Sequence, residues 1–282
     1  MSFVNITQML KDAEAGHYAV GAFNYCNAET AKAIIDEGAR KKSPVMMICG
    51  PWELDLVGPS MLVKMVDILS EEAGVEVCLH LDHATDVETV KRCIDAGFPS
   101  VMIDGSHCNT YEENVALTRT VVEMAKPFGI TVEGELGSVG RVDDCSPEAN
   151  DKSLLTDPAQ AAEFERLTGV DALAVGIGNG HGMYPQAPVL DFERLQAIRN
   201  VVTVPIVLHG GSGTPAHQLH QAIDLGVSKV NVASELGRAF LTTIDNRKPG
   251  LWYAWALIEA RNAVSEVVGR WMDELGCSGR IK

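Results

Sequence analysis

Short apolar runs recur along the chain, and between them apolar residues return every three to four positions. The runs are Ala19–Phe23, Pro44–Cys49, Glu76–Leu81, Ser100–Ile103, Thr131–Glu135, Asp171–Ile177, Pro205–Leu208 and Ser228–Val232. Their length predicts strands. The stretches between them predict helices, among them Ala28–Lys41, Pro59–Ala73, Val87–Ala96, Tyr111–Phe128, Pro158–Leu167, Phe192–Arg199 and Pro215–Leu225. Punctuation agrees: Asp157 precedes Pro158 at a helix start, and Gly97, Gly169 and Gly226 stand where helices should stop. Strands alternating with helices imply parallel βαβ units, and eight of them predict an α/β fold closed as a (β/α)8 TIM barrel.

Two segments depart from the alternation. Residues 137–156 are polar and aperiodic, which predicts a mobile or functional loop. From about Trp252 to Leu275 the pattern predicts one long helix or two, a helical extension of the barrel. Its tryptophans, Trp252, Trp255 and Trp271, are expected to pack against the barrel or a partner subunit. No low-complexity linker interrupts the chain, so residues 1–282 are expected to form one domain.

Charge narrows the partners. With 23 Lys and Arg against 38 Asp and Glu, the net charge of −15 disfavours nucleic acid and anionic membrane surfaces. It leaves room for a small phosphorylated substrate, because local amides and a metal can dominate a pocket. The seven cysteines are scattered and contain no C-x-x-C pair, which argues against a disulfide framework or a cysteine zinc site. The N-terminus lacks a signal-peptide pattern and no run of about 20 apolar residues occurs, so a cytoplasmic protein is expected.

Candidate chemistry collects at the C-terminal ends of the predicted strands, where barrels of this type carry their active sites. Asn24 follows the first strand, Asp82 and His83 the third, and Asp104 the fourth; Glu135 ends the fifth. Gly176 to Gly182, with His181, follow the sixth, and His209-Gly210-Gly211-Ser212-Gly213 the seventh. Asn231 lies in the eighth, which ends at Ala233-Ser234. Each histidine alone reads equally as a structural residue. Three imidazoles on one rim suit Zn²⁺ with a position left open. Asp82 reads either as a general acid or base or as a carboxylate orienting a ligand imidazole. Neighbours in a strand face opposite sides, so Asp82 and His83 share the mouth only where the pleat breaks. His80 is expected to pack inside, and His17, His217 and His220 to lie on the surface. The glycines after the seventh strand read as a turn or as a phosphate cradle.

Six motifs carry a family likeness: Leu79-His-Leu-Asp-His83, Met102-Ile-Asp-Gly-Ser-His107, Val132-Glu-Gly-Glu-Leu-Gly137, His181-Gly182, Val207-Leu-His-Gly-Gly-Ser212 and Lys229-Val-Asn-Val-Ala-Ser234. Through them nearly the whole chain resembles the class II, metal-dependent ketose-bisphosphate aldolases of the fructose and tagatose type, the tagatose branch most. The resemblance implies reversible cleavage of a ketose 1-phosphate or 1,6-bisphosphate to dihydroxyacetone phosphate and an aldehyde; the tryptophan-bearing C-terminal segment suggests a homodimer or homotetramer. The resemblance also implies His83, His181 and His209 as Zn²⁺ ligands, with Asp104 and Glu135 near an alternative metal position. Gly182, Gly210, Gly211, Ser212, Asn231, Val232, Ala233 and Ser234 would hold the dihydroxyacetone phosphate, with Asn24 also at the substrate and a monovalent cation (Na⁺ or K⁺) nearby. Asp82 would handle the C4 hydroxyl proton. A loop acid, Asp143 with Asp144 beside it, would exchange the C3 proton, against a reading of both as solvated carboxylates.

The chain also departs from the family pattern. Gly140-Arg141-Val142-Asp143 stands where relatives usually carry Gly-Gly before the acids. Lys248-Pro249-Gly250 and Ile258 stand where relatives often carry arginines that help bind a distal phosphate. These losses predict an aldehyde half less anionic than glyceraldehyde 3-phosphate, with Arg280 the candidate replacement. The rival readings are a Schiff-base aldolase using Lys229, a non-catalytic phosphosugar-binding or aldolase-assisting subunit, and a metal-dependent hydrolase.

Overall fold

A strand lodged between a barrel interior and a ring of helices must bury both faces, and most of the apolar runs do so along their whole length. The computed structural model describes residues 3–140, 155–184 and 186–281. Its strands are β1 (Val20–Asn24), β2 (Val45–Cys49), β3 (Val77–Ala84), β4 (Ser100–Ile103), β5 (Thr131–Leu136), β6 (Ala172–Val175), β7 (Ile206–Leu208) and β8 (Val227–Val232). They close in sequence order into one parallel barrel, β8 pairing with β1 through Ala22 opposite Asn231. This is the (β/α)8 TIM barrel expected from the alternation.

The helices among the described residues are α1 (Ile6–Ala15), α2 (Ala28–Lys41), α3 (Pro51–Val57), α4 (Pro59–Ala73), α5 (Val87–Ala96), α6 (Tyr111–Ala125), α7 (Pro158–Thr168), α8 (Phe192–Arg199), α9 (Ala216–Asp224), α10 (Ser234–Asp245) and α11 (Tyr253–Glu274). Side-chain caps fix several starts. Asn27 and Thr30 form a reciprocal box on α2, and Asp86, Thr110 and Asp157 cap α5, α6 and α7. Each such cap contributes about 1 kcal/mol. The predicted helix over Tyr111–Phe128 ends earlier, at Ala125, and Lys126–Phe128 tighten into a 3₁₀ turn. Pro127 brings no N–H to continue the α ladder.

Three helices go beyond the periodicity reading. In α1, Ile6, Leu10 and Ala13 are buried, and the preceding Val4 donates its N–H to Val77 O at the start of β3. This segment covers the N-terminal end of the barrel. The short α3 follows β2 directly, and α10 follows β8 with only Leu236 buried. The tryptophan-bearing extension is the single helix α11. Trp271 is buried there as expected, whereas Trp252 and Trp255 stand exposed on this chain.

Candidate active site

Period-two alternation fixes what enters the barrel. Gly134 faces out, where an added Cβ would press on Phe164, Val170 and Thr118. Its neighbours Glu133 and Glu135 therefore face in. Both are fully or almost fully buried, as are His80 and Lys229. Glu133 joins them: Oε1 accepts from His209 Nε2 at 2.9 Å, Oε2 accepts from Lys229 Nζ at 2.6 Å, and His80 Nε2 lies 3.6 Å away. His80 Nδ1 in turn meets Ser100 Oγ at 2.7 Å. A charged layer thus underlies the mouth.

At the end of β3 the pleat breaks. The pairing with β4 shifts register between Leu81 and Ala84, and His83 adopts φ 48°, a left-handed conformation rare for a residue with a Cβ. This bulge turns Asp82 and His83 toward the same mouth. His83 Nδ1 lies 2.9 Å from Asp104 Oδ2, and Asp104 also accepts from Ser106 N and Oγ. The bond to the Asp104 carboxylate assigns the proton to Nδ1 and leaves His83 Nε2 free to ligate. That atom lies 3.1 Å from His181 Nε2. The ring centroids of His83 and His209 are 4.6 Å apart.

Several buried atoms point to a cation. His209 Nε2 donates its hydrogen bond to Glu133, so His209 Nδ1 carries a lone pair; it has no hydrogen-bond partner, and neither has Glu135 Oε2, 3.4 Å away. Two nitrogens on one tetrahedral Zn²⁺ at 2.0–2.1 Å should lie about 3.3 Å apart, close to the His83–His181 separation. His83, His181 and His209 form one possible ligand group, and His83, Asp104 and Glu135 a second. Three imidazoles, two of them oriented by carboxylates, fit zinc. Electrostatics agree. Burial lowers the pKa values of His181 and His209 well below the ordinary range, favouring the neutral, ligating form. Burial opposes charge on His83 too, but Asp82, Asp104 and Glu135 outweigh it and raise its pKa to about 10. Burial and then Asp104 raise Glu135 to about 8. Asp104 goes the other way: burial would raise it, but bonds from His83 and Ser106 hold it below the usual carboxylate range.

Beside this group, Asp82 Oδ1 accepts from Asn231 Nδ2 at 2.9 Å, and the buried Asn231 Oδ1 has no partner. Gly210 holds φ 65°, and a Cβ there would fall 2.0 Å from Gly180 O. Only glycine lets the loops after β6 and β7 meet this closely. Tyr184 Oη ties them, accepting from Gly180 N and donating to Gly210 O. Glu235, in the first turn of α10, accepts from Gly213 N and from Trp271 Nε1 and pairs with Arg270, anchoring the glycine loop to α11.

The family model for class-II fructose-bisphosphate aldolase matches residues 4–280. The chain belongs to that family. Among solved structures, the class-II chain is similar to the YdjI aldolase from Escherichia coli K12, with a TM-score of 0.89 and 34% identity over 99% of this chain and 100% of that one. The fructose-bisphosphate aldolase of Campylobacter jejuni shares the fold, with a TM-score of 0.82 and 21% identity over 98% and 96% of the two chains.

In this class-II barrel the residues expected at the site converge: Asp82, His83, Asp104, Glu135, His181, His209 and Asn231 meet in one mouth, with Gly182, Gly210, Gly211, Ser212, Val232, Ala233 and Ser234 on the β6, β7 and β8 side and Asn24 at the end of β1. Asp143, with Arg141 and Asp144, lies outside the described residues. Arg280 does not replace the missing distal arginines. It stacks 4.8 Å over the Tyr18 ring, two residues before β1, at the end of the barrel opposite the histidines. Lys229 is fully buried in the layer beneath the mouth and ion-paired with Glu133, away from the open position a Schiff-base lysine would need. Glu133, Tyr184, Glu235 and Glu53 were not singled out from sequence, although alternation with Glu135 signals Glu133.

Proposed function

We propose that the chain catalyses zinc-dependent, reversible cleavage of a ketose 1-phosphate or 1,6-bisphosphate to dihydroxyacetone phosphate and an aldehyde. The observation that carries this reading is the convergence of three histidines, two of them oriented by carboxylates, beside the Asp82–Asn231 pair. His83, His181 and His209 would hold Zn²⁺, which supplies a Lewis acid for negative charge developing on the three-carbon fragment. Asp104 and Glu133 keep His83 and His209 in their ligating tautomers. Asp82 takes the proton of the C4 hydroxyl as the C3–C4 bond breaks; that oxygen becomes the aldehyde carbonyl, and the bonding electrons stay on C3. Asn231 Nδ2 holds the Asp82 carboxylate in place. Asp143 would return a proton to C3. Backbone amides of Gly182, Gly210 to Ser212 and Val232 to Ser234 would hold the phosphate at the start of α10, with a monovalent cation nearby and Asn24 across the mouth.

The same reading includes a homodimer or homotetramer, supported by exposed Trp252, Tyr253 and Trp255, and a cytoplasmic setting, supported by six free thiols among the described residues. No helix of the described residues is long and apolar enough to cross a membrane. The test is release of dihydroxyacetone phosphate from a panel of ketose phosphates by zinc-loaded protein. Asp82→Asn should lower kcat at least about 100-fold with zinc content retained. Full turnover in that variant, or no cleavage of any ketose phosphate by the parent, would contradict the proposal.

A further inference from the structure

Around the barrel, β1 and β2 are the strands between β8 and β3. The rim that runs from Asn231 to Asp82 therefore passes Asn24 and Gly50. If the phosphate of the three-carbon half sits at the β7 and β8 glycine loops and the reacting bond at Asp82, the remainder of the ketose extends over this β1–β2 rim. This inference rests on the function proposed above.

That rim carries a carboxylate. Glu53, in the first turn of α3, accepts from Asn24 Nδ2 at 3.2 Å through Oε1 and from Gly50 N at 2.8 Å through Oε2. Gly50 shows how near this is to the chemistry: a Cβ there would lie 3.2 Å from Asp82 O and 3.5 Å from Glu53 Oε2. Among the described residues, no Lys or Arg occurs in any segment joining the C-terminal end of a strand to the next helix. Arg280 is at the opposite end.

We infer that Glu53 is a specificity-determining residue that selects an uncharged polyhydroxy aldehyde. Its carboxylate, held by Asn24 and Gly50, accepts hydrogen bonds from sugar hydroxyls and repels a terminal phosphate. One face of the mouth thus binds phosphate through backbone amides, and the other rejects it.

The test is condensation of dihydroxyacetone phosphate with a panel of aldehydes: glycolaldehyde, glyceraldehyde and four-carbon aldoses on one side, D-glyceraldehyde 3-phosphate on the other. The zinc-loaded parent should show kcat/KM at least about tenfold higher for the best uncharged aldehyde. Glu53→Gln keeps an oxygen acceptor for Gly50 N and should shift the ratio at least about tenfold toward the phosphorylated aldehyde. Glu53→Asp keeps the charge and should retain the preference, a distinction that a merely structural role would not produce. Added salt should also raise the relative rate with the phosphorylated aldehyde in the parent. A parent that prefers the phosphorylated aldehyde or accepts no uncharged one overturns the inference, as does a Glu53→Gln ratio equal to the parent's. Hydrogen exchange at C3 of dihydroxyacetone phosphate, run alongside on the parent, separates the two failures. Its absence would sink the aldolase reading itself, and its presence beside a failed ratio would sink only the role of Glu53.

Discussion

His83 carries a left-handed backbone, a hydrogen bond to Asp104 and a pKa raised to about 10, all in one residue. A left-handed residue with a Cβ costs about 1–3 kcal/mol, and here the distortion lets adjacent residues share the mouth. The raised pKa has a measurable sign. Without a metal, His83 is protonated at pH 7, and a metal ion must displace that proton to reach Nε2. Titration of Zn²⁺ into the metal-free protein in buffers of different ionisation enthalpy should therefore show net proton release at pH 8–9. Apparent affinity should rise about tenfold per pH unit until pH approaches 10. Binding without proton release would contradict the assignment. The site histidines and Asp82 were legible because chain position after each apolar run maps onto one rim. The bulge that aims them was only inferable, since nothing in Asp82-His83 spells out a positive φ.

Among the elements, β5 shows how one strand serves two layers. Glu135 reaches the mouth, while Glu133 sits beneath it and binds His209 and Lys229. Removing one partner of a buried charged pair leaves the other uncompensated, at a cost of about 3–5 kcal/mol. Glu133→Ala should lose that much in urea unfolding and also weaken zinc binding, because His209 loses the acceptor that fixes its tautomer. Unchanged stability would show that the charged layer contributes little. The predicted ranges of α2, α4, α5 and α8 match the structure at both ends, because periodicity, caps and breakers agree there. β3 runs past the predicted end at Leu81, because the polar Asp82 and His83 form a bulge before pairing resumes at Ala84. Glu53 was missed because its partner Asn24 is 29 residues away, a contact that only the β1–β2 pairing creates.

At the scale of the whole molecule, chemistry is gathered at one end of the barrel and closure at the other. α1 and Arg280 occupy the N-terminal end, and the histidines, Asp82 and the glycine loops the C-terminal end. The barrel itself was legible from eight apolar runs. The destination of Arg280 was not, because a C-terminal residue can return to either end of a barrel. Metal-dependent proton and carbon–carbon chemistry next to a ketone is the reaction proposed for this mouth. Its most direct test is NMR of C3 hydrogen–deuterium exchange in dihydroxyacetone phosphate in D₂O, which needs no aldehyde. The exchange should depend on the protein, disappear with EDTA and return with Zn²⁺. Exchange that persists in EDTA, or none in the zinc-loaded protein, would contradict it.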